Sequence, residues 1–122
     1  MAQRAESSFI PRDFLLNPRE FGRVYRADSL TGMRPEDFGR LMSAIIQHRA
    51  ACAVREVRRA DSITNRALAH HLRVDESLLS GYMRGAYPAS LTMISNWSYA
   101  LGDPSIFPDF DEIFGLVRAS VT

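Results

Sequence analysis

The sequence predicts an all-α protein, and three observations carry that prediction. Apolar residues recur at helical spacing, most clearly at Phe38, Leu41, Met42, Ile45 and Ile46, which make one stripe along a helix. Short polar capping residues stand just before such runs, and glycines stand just after several of them. Strand-like alternation of apolar and polar residues is nowhere sustained. The 122 residues suffice for a single core and one appended element.

The elements follow in order. Residues 1–34 read as an arm in which apolar clusters (Phe9-Ile10, Phe14-Leu15-Leu16, Phe21, Val24-Tyr25) are separated by Pro11, Pro18 and Gly32. Asn17 before Pro18 has the form of an N-cap with proline at the first helical position, so a short helix from 18 to about 27 is expected. These aromatics are too many for a solvated tail, and the arm is expected to dock on the rest of the chain or on a partner.

From Pro35 the helical stripe begins, and it resumes after Arg49 at Ala50, Ala53, Val54 and Val57. No proline or glycine forces a break near His48-Arg49, so one helix to about Ala60 is expected over two. Three short helices come next. Thr64 caps one that ends near Arg73 and buries Ala67, Leu68 and Leu72. Asp75 caps a second, from Glu76 to about Met83, with Leu78, Leu79 and Tyr82 as its apolar residues and Gly85 as its stop. Ser90 caps a third, with Ile94, Trp97 and Leu101 inward and Gly102 at its end. The run Asp109-Phe110-Asp111-Glu112 has capping-box spacing and opens a terminal helix within residues 104–122.

Charge and chemistry narrow the function classes. Net charge is +1, but residues 34–60 carry +3 and residues 104–122 carry −2, so any polyanion-binding surface must be local. All fifteen basic residues are arginine, whose guanidinium forks suit bidentate phosphate contacts. Cys52 is the only cysteine and lies in an apolar pattern, as a buried small hydrophobe would. His70 and His71 point about 100° apart on a helix and cannot share a metal as an i, i+4 pair does. No calcium loop, phosphate-cradling glycine loop or Ser-His-acid grouping is evident. No enzyme, metal or cofactor is expected, and no apolar run approaches membrane-spanning length. A signal peptide's apolar segment is also missing from the start, and a cytoplasmic location is expected.

The helices at 65–73 and 76–83 have the spacing of a helix-turn-helix, within a motif core at 64–84. Ala69 supplies the small residue where the helices cross, and Val74 an apolar plug for the turn. The other side of the second helix carries Glu76, Ser77, Ser80, Gly81 and Arg84, with little side-chain bulk. A slim face lets a helix backbone approach base edges in a major groove.

The run from Val54 to Gly102 resembles the Xre-type helix-turn-helix of phage and plasmid repressors and antitoxins. The matching residues are Arg58, Thr64, Leu68-Ala69, Val74, Ser80, Arg84-Gly85, Ser90-Leu91 and Ala100-Leu101-Gly102, with no insertion or deletion. The resemblance implies a phage-repressor-like bundle of about five helices over residues 35–103, behind an N-terminal helical extension. It also implies a transcriptional regulator, expected to be a repressor, that binds double-stranded DNA. Thr64, Asn65 and Arg66 would stand at the phosphates; Glu76, Ser77, Ser80 and Gly81 would lie along the bases. Arg84 and Tyr87 would meet the backbone at the helix end. Glu76 either steadies its helix N-terminus or accepts from cytosine N4. One departure is Met83, where the family usually carries a glutamate paired with the first-helix arginine, here Arg58.

Two other readings stand beside this one. In a type II antitoxin, residues 1–50 would bind a toxin and the arm would be disordered alone; in a stand-alone repressor the arm would be folded. An adaptor would keep the fold without binding DNA. Phe110, Ile113, Phe114 and Val117 either form a homodimer patch or pack into the core.

Overall fold

The computed structural model describes residues 9–26 and 34–121; Gly32 and the end of the expected 18–27 helix lie outside them. Among the described residues there are five α-helices and no strand: α1 (Phe38–Ala60), α2 (Asn65–Leu72), α3 (Glu76–Met83), α4 (Leu91–Leu101) and α5 (Phe110–Ser120). The protein is all-α. Four single 3-10 turns, at Pro11–Phe14, Pro18–Glu20, Pro35–Asp37 and Pro104–Ile106, connect or precede them. Each opens on proline, whose fixed φ starts a turn and whose missing N–H is not needed there. No helix among the described residues is long and apolar enough to cross a membrane.

α1 is one continuous helix of 23 residues and the axis of the molecule. One side of its C-terminal half packs with α2, α3 and α4 through Ala50, Val54, Leu68, Ala69, Leu79, Ile94 and Trp97. Its N-terminal half packs with the arm and α5 through Leu41, Ile45, Leu15, Phe21, Ile113 and Val117. Cys52 is buried.

Between these two apolar regions lie three consecutive buried polar residues. Successive helical residues point about 100° apart, so the three address different combinations of elements. Gln47 donates from Nε2 to the Tyr82 and Tyr87 carbonyls, both at 2.9 Å, and accepts from the Ala89 N–H at 2.7 Å. His48 accepts from the Gly22 N–H at Nδ1, 2.9 Å. Its other nitrogen, Nε2, lies 3.3 Å from the Tyr25 carbonyl, which places the ring proton there. The Arg49 guanidinium lies 3.1 Å from a Glu112 carboxylate oxygen on α5 and 4.7 Å from the centre of the Tyr25 ring. One turn of α1 thereby orients the loop after α3, the arm and the terminal helix.

The expected caps are in place. Side chains of Thr64, Asp75, Ser90 and Asp109 accept from N–H groups in the first turns of α2, α3, α4 and α5. Gly85 and Gly102 adopt positive φ at the ends of α3 and α4. α2 ends differently, with Arg73 in the left-handed region and the Val74 N–H donating to the Ala69 carbonyl.

Several expectations need correction. The helix from 18 to about 27 is a single 3-10 turn at Pro18–Glu20, because Gly22 at φ 72° diverts the chain. Ala67, Leu78 and Val74 are exposed, since α2 and α3 each present only a narrow stripe, Leu68-Ala69 and Leu79 with Gly81, to the core. The reciprocal half of the capping box is replaced by the contact of Glu112 with Arg49. Ile113 and Val117 are fully buried against α1, so they cannot belong to an outer patch; Phe110 and Phe114 stay about half exposed. Of the alternatives for that segment, core packing holds for two residues and an outward face for two.

Candidate nucleic-acid interface

Two helices of eight residues, α2 and α3, are joined by residues 73–75 and packed on each other through Leu68, Ala69 and Leu79. Ala69 is buried at this contact, where a larger residue would push the helices apart. The Asn65 amide at the start of α2 donates to the Ser80 hydroxyl in the second turn of α3, at 2.9 Å. This bond ties the first turn of one helix to the second turn of the other. Both side chains are only half exposed.

The Asp75 carboxylate accepts from the Ser77 and Leu78 N–H groups at 3.0 and 3.3 Å, and from the Ser77 hydroxyl. The hydroxyl bond, then the Leu78 and Ser77 N–H bonds, hold the carboxyl below the usual carboxylate range. Glu76 beside it is exposed at the positive end of the helix dipole. The anionic cap therefore belongs to α3 itself, and Ser77 has part of its hydrogen-bonding capacity spent on it.

Thr64, Arg66, Glu76, Ser77, Arg84 and Tyr87 are all exposed. Thr64 is engaged as the α2 cap. Arg84 caps the C-terminus of α3, and its guanidinium is open to solvent. Gly81 does not join the exposed set. It is buried beneath the Tyr87 ring, which a Cβ at position 81 would strike. Its smallness serves the packing of the loop after α3, where Tyr87 also meets Tyr82 edge-on at 5.7 Å. The exposed face of α3 thus consists of Glu76, Ser77, Leu78 and Arg84, with Ser80 half recessed.

Arg58 donates from Nε to the Ile63 carbonyl at 3.2 Å, bracing the chain just before the Thr64 cap. Burial, and then the neighbouring Arg55, lower its pKa. Sequence reasoning missed Gln47, the buried residue that holds the loop 82–89 in place. No local signal marks it, because position 47 lies off the apolar stripe of α1. Among the described residues no three His, Cys, Asp or Glu side chains are grouped as a metal-ligand set. No protein-family model, curated protein or solved structure matches the chain.

Proposed function

We propose that this protein is a sequence-specific, double-stranded-DNA-binding regulator of transcription, a repressor of the Xre type acting in the cytoplasm. The observation that carries the reading is the α2–turn–α3 unit. Its inner stripe is packed, its outer face bears short polar side chains, and its end presents an exposed arginine. Such a unit lets α3 enter a major groove while the N-terminus of α2 and the end of α3 reach the flanking phosphates. Arg66 and Arg84 supply the phosphate contacts, Thr64 and Asn65 fix the approach of α2, and Glu76 and Ser77 lie at the base edges with Ser80 one turn behind. Tyr87, three residues after Arg84, is half exposed.

The arm supports a stand-alone regulator over an antitoxin. Leu15 and Phe21 are buried in the same core as α1 and α5, and the Arg12 N–H donates to the Gly85 carbonyl at 3.1 Å. Packing of residues 9–26 on the rest of the chain is what a stand-alone regulator expects of its arm. Two-fold dimers of this class read half-sites about 34–36 Å apart, and the exposed Phe110 and Phe114 are the patch offered for dimerisation.

The test is binding of the purified chain to fragments of its own upstream region at several salt concentrations. Wild type should bind one fragment selectively, with affinity falling steeply as salt rises. Arg84→Ala should weaken all sequences alike and reduce the logarithmic salt slope by about 1, whereas Glu76→Ala should alter the preference between sequences. Absence of salt-sensitive binding by the wild type to any fragment overturns the proposal in favour of the adaptor.

A further inference from the structure

Beside the candidate interface lies a cavity of about 600 Å³ where the arm, α1 and the end of α3 meet. Six arginines line it: Arg12, Arg19 and Arg23 from the arm, Arg55 and Arg58 from α1, and Arg84 from the cap of α3. Among the described residues no carboxylate lines it; Asp13, Glu20 and Glu56, which neighbour three of these arginines in sequence, are not part of the lining. Among the described residues no acid forms an ion pair with any of the six. Its base is apolar, formed by Pro18, Phe21, Ala51, Val54 and Met83.

That concentration of like charge is unfavourable without a counter-anion. A 122-residue chain of net charge +1 gathers six of its fifteen cations around one hollow. Burial and Arg55 already disfavour the charged form of Arg58. An anion relieves the repulsion, and guanidinium forks match phosphate oxygens two at a time. The shape narrows the ligand further. The volume lies within the range of roughly 300–1,000 Å³ typical of small-molecule sites, and such sites combine an apolar lining with a few convergent polar groups. A duplex backbone is a convex ridge that would touch the rim arginines and leave the apolar base uncovered.

We infer that this cavity binds a small, multiply phosphorylated molecule with a flat apolar body, of the nucleoside polyphosphate class. The phosphates lie among the arginines and the ring system rests on Phe21, Val54 and Met83. The bound molecule bridges three elements, so it fastens the arm to α1 and to the end of α3. The inference concerns binding to the protein alone; it shares Arg84 with the DNA reading but does not depend on that reading.

The test uses the full chain without DNA and a fluorescent mant-labelled ATP as probe, at about 0.15 M salt to suppress nonspecific charge pairing. Saturable binding is expected, with unlabelled ATP competing more strongly than tripolyphosphate. Two variants should weaken it by about tenfold or more, equivalent to one or more lost charge-assisted contacts. Arg19→Gln with Arg23→Gln removes two exposed cations whose guanidinium groups form no ion pair among the described residues. Met83→Glu puts a carboxylate into the cavity, where it competes with the ligand. Melting without the probe verifies that each variant folds. No saturable binding, binding unchanged in both folded variants, or tripolyphosphate competing as well as ATP overturns the inference. If duplex DNA engages these arginines and ATP does not, they form a backbone clamp. The inference then fails while the DNA reading survives.

Discussion

Replacing Gln47 with leucine tests whether one buried side chain holds the loop that follows α3. The two side chains have similar volume, so the substitution leaves no large cavity and the cost comes from hydrogen bonding. Three bonds disappear, but the partners do not suffer equally. The Tyr82 carbonyl also accepts from the Gly85 N–H at 3.2 Å and keeps that bond. The Tyr87 carbonyl and the buried Ala89 N–H lose their partner. Two orphaned groups at about 1–3 kcal/mol each give a loss near 3 kcal/mol after some rehydration of the half-exposed Tyr87 backbone. With a urea slope of about 1.5 kcal/mol/M, the unfolding midpoint falls by about 2 M. Trp97, the only tryptophan, is buried in the adjoining core and reports the transition by fluorescence. Gln47→Glu sharpens the test. Its ionised carboxylate would face the Tyr82 and Tyr87 carbonyl oxygens, so folding raises its pKa. The penalty is therefore full at neutral pH and shrinks as pH falls through that raised value. A loss under about 1 kcal/mol for Gln47→Leu, or a Gln47→Glu penalty independent of pH, would refute the reasoning.

Gly22→Ala should undock the arm. Position 22 has φ 72°, and a Cβ there overlaps the Met83 carbonyl oxygen, a backbone atom that cannot swing aside. Conformational strain and overpacking together cost roughly 2–3 kcal/mol. Trypsin should then cleave faster after Arg12, Arg19 and Arg23 in the variant; equal protection would show that the arm absorbs the side chain. Asp75→Asn probes the cap of α3. The wild-type carboxyl is held low by the Ser77 hydroxyl first and by the Leu78 and Ser77 N–H groups after it. Its ionised form therefore stabilises the fold above the ordinary carboxylate range, and that contribution is lost as pH falls through the lowered value. The stability difference between wild type and Asp75→Asn, measured by urea titration from neutral to strongly acidic pH, should close with acid. A difference that stays constant would assign the cap to hydrogen-bond geometry alone.

The local punctuation of this fold was legible in the sequence. Thr64, Asp75, Ser90 and Asp109 each precede an apolar run and each caps a helix, because capping involves residues two or three apart. Gly85 and Gly102 are legible for the same reason. What reading along the chain could not supply depends on distant partners. Gln47 meets groups 35 to 42 residues away, and nothing adjacent to it announces burial. Gly81 reads as a slim spot on an outer face until Tyr87 folds over it. Val74 and Leu78 are apolar at positions where a short helix pair could bury them, yet α2 and α3 have only one packed stripe to offer. The arginines around the cavity are scattered from position 12 to position 84, with no spacing that a motif could capture.

The three polar residues at the middle of α1 also determine which kinds of change this chain tolerates. Because Gln47 serves the loop after α3, His48 the arm, and Arg49 both the arm and α5, their order is an ordered address, read by rotation about the helix axis. Adding or deleting one residue upstream, between Met42 and Gln47, would turn one half of α1 by about 100° against the other. The loop after α3, the arm and α5 could then keep their places on only one of the two halves. Point substitutions alter the strength of a contact, whereas such an insertion reassigns all of them at once. The length of α1 is thus a stricter requirement than most of its side chains, and insertions are compatible with this architecture in the connections between helices rather than within its axis.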